Sequence, residues 1–352
     1  MNETRTLLAD TVTRILTDLV SKELLESAEQ GIWPAGLWQT LEENGLTLPL
    51  VPEARGGAGL GWQDAHVILE AAGRHAVPAP LAETIIASWL LAGAGIDVPD
   101  GPLTIAPVQL NEQFRLARAD RGWRLSGRAS RVPWGASAHH IVVAGEVDGK
   151  ATIALVAGGR ARVTADRNVA LEPRDTLDFE DTPVEAAAPA ASGTPMNAVW
   201  LYGALARSAQ MAGALQSILA QAVRYATERK QFGRAIGAFQ AIQHQLALLA
   251  GHTAAAGMAA AHACRAAERG DPTREVAAAK VRVGDAAGFG AGIAHQVHGA
   301  IGFTYEHSLH FATRRLWSWR AEFGAEGYWA VALGRLVAER GADQLWPDLT
   351  AR

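Results

Sequence analysis

The feature that most constrains the fold of this chain is a change of period. Between residues 101 and 187 helical spacing stops and short β-type runs take over: LTIAPV, FRLARA, GWRLSG, HHIVVAGEV, ATIALVA and LDFED, punctuated by Pro, Gly or Asp. Alternating and β-branched runs closed by turn residues at such short intervals predict a small antiparallel sandwich or barrel. On both sides the period is helical. Leu7, Leu8, Val12, Ile15, Leu16 and Leu19 mark one face of an N-terminal helix. Gly45 follows LWQTLEEN, where a left-handed C-cap fits, and VPEARGGAGLG (51–61) breaks any helix. The chain therefore divides into an N-terminal helical domain (1–100), a middle β-domain (101–187) and a C-terminal helical bundle (188–352), with PVEAAAPAASGTPM (183–196) as the linker out of the β-domain. A length of 352 residues agrees with more than one core.

The last unit is rich in Ala and Gly. Leu215, Leu219, Ala222 and Ala226 share one helix face, and small residues there let helix backbones approach closely. Two further helices are expected at 240–269 and 274–298, separated by Gly270 and restarted by Asp271-Pro272. Long helices joined by short turns make an antiparallel bundle.

Bulk chemistry excludes several functions. The net charge of −4 gives no basic field for nucleic acid or an anionic membrane. Cys264 is the only cysteine, so neither an internal disulfide nor a thiolate metal cluster can form. The N-terminus lacks the basic flank and apolar run of a signal peptide. No uncharged apolar stretch of membrane-spanning length is apparent, so the expectation is a cytoplasmic protein without a membrane span.

Two motifs carry candidate chemistry. In ERKQFGRAIGAFQAIQHQLA (228–247), Arg229 ends a helix, Gly233 opens a turn and Gln240 starts the next helix at its positive end. An arginine beside a helix N-terminus suits a pyrophosphate, and the same pattern also fits a plain helical hairpin with a basic corner. In HQVHGAIGFTYEHSLHFATRR (295–315), Gln296 and Gly299 end a helix, and Gly299 and Gly302 allow a ligand close to the backbone. The HxxH pairs His295/His298 and His307/His310 lack a carboxylate or Cys to complete a ligand set, so no metal is expected.

Together these segments resemble the two flavin-binding signatures of the acyl-CoA dehydrogenase family. LWQTLEENGL, LVPEARGGAGLG and LEAAGRHAVPAPLAET resemble the family's opening, and GWRLSGRASRVPWGASAHHIVVAG its β-domain core. The resemblance runs over nearly the whole chain in the family's order. It implies the acyl-CoA dehydrogenase-like fold, mainly α with a middle β-domain and a C-terminal four-helix bundle. It also implies FAD as cofactor, an acyl-CoA thioester as substrate and an electron-transfer flavoprotein as acceptor. Arg229, Gln231 and Phe232 would touch the ADP half of an FAD held mainly by a neighbouring subunit, with Gln240 close by and Gln296 and Gly299 at the pyrophosphate.

The family reaction needs a carboxylate to remove the α-proton while the β-hydride leaves to the flavin. At one family position for that base this chain has Phe323, with Glu322 and Glu326 out of register; at the other it has Gly203 and Ala204. The flavin loop is shortened to IAPVQLNEQF. Arg131 and Pro133 replace the aromatic and Thr that face the ring, and Trp134 is one place away. This pattern resembles subunits of the heterotetrameric steroid side-chain acyl-CoA dehydrogenases, in which a second dehydrogenase-like chain supplies the base. The alternatives are a self-sufficient homotetramer using Glu322 or Glu326, and a related flavin oxidase or monooxygenase. Trp317, Trp319, Trp329 and Phe323 could line a wide acyl or steroid pocket, or pack at an interface.

Overall fold

The computed structural model describes residues 3–109, 111–120 and 122–350. Met1 and Asn2 of the expected first helix, Leu110 of the shortened loop, Arg121 and the last two residues lie outside the described residues. The N-terminal unit comprises α1 (Glu3–Leu19), α2 (Lys22–Glu29), α3 (Ala35–Glu43), α4 (Trp62–Arg74) and α5 (Leu81–Gly93). Val12 and Leu16 are the buried residues of α1. Ser21 starts α2 by accepting the Leu24 amide on its hydroxyl at 3.2 Å. Gly45 ends α3 with φ of 67°, which glycine adopts without strain.

The middle unit contains β1 (Leu103–Ile105), β2 (Phe114–Ala119), β3 (Gly122–Pro133), β4 (His140–Val147), β5 (Lys150–Ala157), β6 (Arg162–Thr164), β7 (Arg174–Val184) and β8 (Ala186–Pro189). They form two four-stranded sheets, ordered β1-β4-β5-β8 and β2-β3-β7-β6. Their facing sides bury Leu125, Ala129, Val132, Ile141, Val143, Val156, Leu177 and Phe179. The expected sandwich is corrected in two details. First, β1 pairs with β4 in parallel, because the β2–β3 hairpin carries the chain into the other sheet before it returns. Second, the stretch expected as a linker holds β8, which pairs with β5 from Thr152↔Pro189 to Leu155↔Ala186. Its alanines fit a sheet edge, and Pro189 sits where the lost N–H is tolerated.

The C-terminal unit is built on α6 (Ala198–Glu228), α7 (Gln240–Ala267) and α8 (Thr273–His298), followed by α9 (Leu309–Ala321), α10 (Glu326–Arg340) and the short α11 (Leu345–Thr350). A small hairpin, β9 (Lys230–Gln231) and β10 (Arg234–Ala235), joins α6 to α7. It turns at Phe232 and Gly233, both with positive φ (50° and 81°), as a tight two-residue hairpin turn demands. By length and mean hydropathy α7 would pass for a membrane span, which corrects the expectation that no stretch approaches one. Leu249, Ala256, Ala260 and Ala263 are buried on one side, while only 28% of the apolar window is buried, so most of it is uncovered in the single chain.

The N-terminal helices and the bundle meet backbone to backbone. A Cβ on Gly73 of α4 would collide with the Gln210 carbonyl of α6, and one on Gly213 of α6 with the Glu70 carbonyl of α4. Gly257 of α7, by contrast, faces open space. Gly213→Ala is therefore expected to destabilise the protein by about 1–3 kcal/mol through overpacking, whereas Gly257→Ala stabilises it by roughly 0.5–1 kcal/mol through helix propensity. Opposite shifts of the thermal midpoint in the two variants are the check.

Candidate functional site

Both signature segments lie at one end of the bundle, because α6 and α8 run parallel and α7 returns between them. Tyr225 of α6 stacks on His298 of α8 with ring centroids 4.7 Å apart. Arg229, Gln231 and Gln240 are exposed there, and Phe232 is 91% exposed. The start of α7 has no side-chain cap, since the preceding residue is Phe239; the amides of Ile242 and Gln243 donate to the Phe239 carbonyl, which leaves those of Gln240 and Ala241 to meet an anion. Gln296 and Gly299 are exposed at the end of α8. Gly299 has φ 64° and ψ −145°, a conformation reserved for glycine, and the space beside its Cα is empty. Arginine, glutamine side chains, free helix amides and an open glycine thus converge at this end, a donor set that fits the pyrophosphate end of a dinucleotide.

The crevice between the β layer and the bundle is different. A cavity of about 30 Å³ lies beside Glu322, lined by Pro107, Gln109, Arg131, Trp200, Ala321, Glu322 and Phe323. Next to it, sharing Gln109 and Trp200, a cavity of about 540 Å³ opens between the β layer and the bundle, with Val108, Phe114, Met196 and Tyr328 in its walls. Phe323, at φ 53°, turns its ring onto Gly203, where a Cβ would overlap it. Trp200 closes edge-on over the same ring at 6.0 Å. Arg131 bulges out of β3 at φ 57° and is exposed at the rim. Trp134 does not supply an aromatic face here; it packs edge-on against Trp33 at 6.2 Å.

Glu322 is held in a buried ionic network that sequence reading missed. Arg174 of β7 donates to its Oε1 at 2.7 Å and its Oε2 at 3.2 Å, and Arg207 of α6 donates to Oε2 at 2.7 Å. Arg207 also donates to Glu83 of α5 at 2.5 Å, and Arg174 to Glu172 at 2.9 Å. Arg315 of α9 is ion-paired with Glu172 at 3.1 Å. Three carboxylates thus face three guanidinium groups. Burial opposes ionisation of Glu322, but Arg174 and Arg207 overcome it and pull its pKa down to about 2. A carboxylate held as a fixed anion by two arginines is a poor proton acceptor. Behind it Lys280 donates to the carbonyls of Trp319, Arg320 and Glu322 at 3.2, 3.1 and 2.9 Å, fastening the end of α9. Burial pulls that amine down to about 7 against the attraction of Glu322 and Glu326. The sequence signals were an Arg inside VWLYGALARSAQMAGA and a Lys inside VAAAKVRV, since a lone cation in an apolar helix implies a buried partner.

Glu326 begins α10, pairs with Arg320 and packs on Gly284 of α8; it is absent from the lining of the small cavity. The wide pocket proposed for the tryptophans does not form. The Trp319 indole donates to Glu172 at 2.9 Å and that of Trp329 to the Phe323 carbonyl at 2.8 Å, both in the core. Trp317 is 48% exposed. Among the described residues, no group of three or more His, Cys, Asp or Glu is placed to hold a metal.

Comparison with known proteins gives one family. The profile of the acyl-CoA dehydrogenase N-terminal domain matches residues 2–97 and that of the C-terminal domain residues 196–336. Acyl-CoA dehydrogenase IpdE2 of Mycolicibacterium smegmatis is 30% identical over 90% of this chain and 93% of its own length. Acyl-CoA dehydrogenase FadE34 of Mycobacterium tuberculosis is 31% identical over 87% of this chain, which spans only 42% of FadE34. Among solved structures, the ChsE4-ChsE5 complex from Mycobacterium tuberculosis superposes with a TM-score of 0.88 at 24% identity, covering 97% of this chain and 99% of the matched one. A variant of the Tcur3481-Tcur3483 steroid acyl-CoA dehydrogenase gives 0.86 at 26%, covering 96% and 98%.

The sign of the Glu322 effect is fixed by its depressed pKa: its contribution to stability is complete above the ordinary carboxylate value of 4.5 and is lost as pH falls towards about 2. Glu322→Gln leaves Arg174 and Arg207 without their shared anion and is expected to cost about 3–5 kcal/mol at neutral pH. The variant should also lose part of the acid-induced decline in that window. Chemical denaturation at neutral and acidic pH measures both effects.

Proposed function

The chain belongs to the acyl-CoA dehydrogenase family, and from that premise we propose that it is the base-lacking subunit of an FAD-dependent acyl-CoA dehydrogenase that works as a heteromer with a second dehydrogenase-like chain. The observation that carries this reading is the Glu322–Phe323 turn. Its carboxylate is neutralised by Arg174 and Arg207, and its aromatic ring fills the space above Gly203. Glu322 is thereby withdrawn from proton transfer, and the space over Gly203 is taken by the Phe323 ring.

The signature end of the bundle supports a role for this chain in holding cofactor. Arg229 and Gln231 would bind the ADP end of an FAD whose ring lies in the partner subunit, and Phe232 would cover its base. The amides at Gln240, with Gln296 and Gly299, would meet the pyrophosphate. FAD supplies the hydride acceptor of the family reaction. The residues of this chain would orient one end of the cofactor. The acyl-CoA substrate would be processed on the partner, with an electron-transfer flavoprotein as acceptor. A bulky or steroid side-chain acyl group is favoured by the likeness to the Tcur3481-Tcur3483 steroid enzyme and to the two-chain ChsE4-ChsE5 complex. The self-sufficient homotetramer is disfavoured by the pairing of Glu326 with Arg320 and its packing on α8.

The chain purified alone should carry less than one FAD per chain, counted from released flavin, and should not dehydrogenate acyl-CoA thioesters. Co-expression with a glutamate-bearing dehydrogenase-like partner should restore both flavin and activity. One FAD per chain in an active homotetramer, inactivated by Glu326→Gln, would refute the reading.

A further inference from the structure

We propose that the chain has a second binding site, for a small methylated or alkylated ammonium ion, between the N-terminal helices and the β layer. A cavity of about 340 Å³ lies there, lined by Trp33, Trp38, Glu42, Gly101, Pro102, Ser137 and His139. It shares no lining residue with the Glu322–Phe323 crevice and includes none of the signature residues at the end of the bundle.

The walls come from three segments. Trp38 and Glu42 stand four residues apart on α3 and so share one helix face. Trp33, just before that helix, meets Trp38 with centroids 5.7 Å apart and planes at 51°, so the two rings form an angled corner rather than a stack. Trp134, buried in the β layer, braces Trp33 edge-on at 6.2 Å and 80°. The opposite wall is the entry to β1 at Gly101 and Pro102 and the turn before β4 at Ser137 and His139. Gly101 has φ 89°, and a Cβ there would overlap the His139 ring, so the glycine lets that ring pack directly on the backbone and form the wall.

The chemistry of this lining selects charge sign. Indole faces carry negative electrostatic potential and attract cations, most strongly at Trp. Glu42 is exposed and has no hydrogen bond or ion pair through its carboxylate among the described residues. No Lys or Arg lines the cavity, so no fixed cation there neutralises Glu42. Two indoles, a free carboxylate and a cavity larger than a tetramethylated ammonium make a built receptor for a soft organic cation.

The test is calorimetric titration of the full chain, in whatever assembly it forms, with tetramethylammonium and choline at low salt, against the neutral choline isostere 3,3-dimethylbutan-1-ol. Saturable binding of both cations is expected, with the isostere bound more weakly. Glu42→Gln, a surface change that should not disturb folding, is expected to weaken cation binding by roughly threefold. Trp33→Ala should abolish it and Trp33→Phe should retain part of it. Absence of saturable binding, equal affinity for the neutral isostere, or unchanged affinity in both Glu42→Gln and Trp33→Phe would overturn the proposal.

Discussion

The arrangement of the three units depends on one carboxylate. Glu322 closes α9 and is gripped by Arg174 from the β layer and Arg207 from the bundle, while Arg207 reaches on to Glu83 in the N-terminal helices. Desolvating so many charges is expensive, and a packed apolar cluster of the same volume would often be as stable or more so. What ions add is direction. A guanidinium in a dry interior has few acceptable partners, so the network fixes how the β layer sits on the helices where a greasy contact would tolerate sliding. Lys280 completes the arrangement by donating to three carbonyls at the end of α9, those of Trp319, Arg320 and Glu322.

The same interactions set the proton chemistry of this turn. A general base needs a pKa that lets it accept a proton, together with an open line to substrate. Glu322 has neither, because the arginines that organise the domains also keep it ionised, and Phe323 beside it occupies the approach. The depressed basicity of Glu322 and the three-way junction are therefore two descriptions of one turn.

Much of this architecture is legible in the sequence because it is written in local periods. The spacing of Leu7 to Leu19, the strands from LTIAPV to LDFED and the breaks at Gly45 and Asp271-Pro272 each depend on a few neighbouring residues. β8 is not legible: AAAP has no strand propensity, and it pairs only because β5 presents an open edge. The placement of the signature residues follows from motif order, whereas the fate of Glu322 does not, since its partners are 115 and 148 positions away and no period links them. The tryptophans show the same limit. Their number suggests a large apolar pocket, but Trp319 and Trp329 point their N–H groups at a carboxylate and a carbonyl, and so become core.

The glycine contact between α4 and α6 has a mechanical consequence. With Gly73 and Gly213 placing one helix backbone against the other, the N-terminal helices and the bundle behave as a single casting with no bearing surface between them. The β layer is fastened to the same body: Leu103, Ile105, Val142, Ile153 and Leu155 continue the core of the helices, and the Thr84 hydroxyl of α5 both donates to and accepts from the Leu103 backbone. Strain introduced at any one seam is therefore felt across all three units.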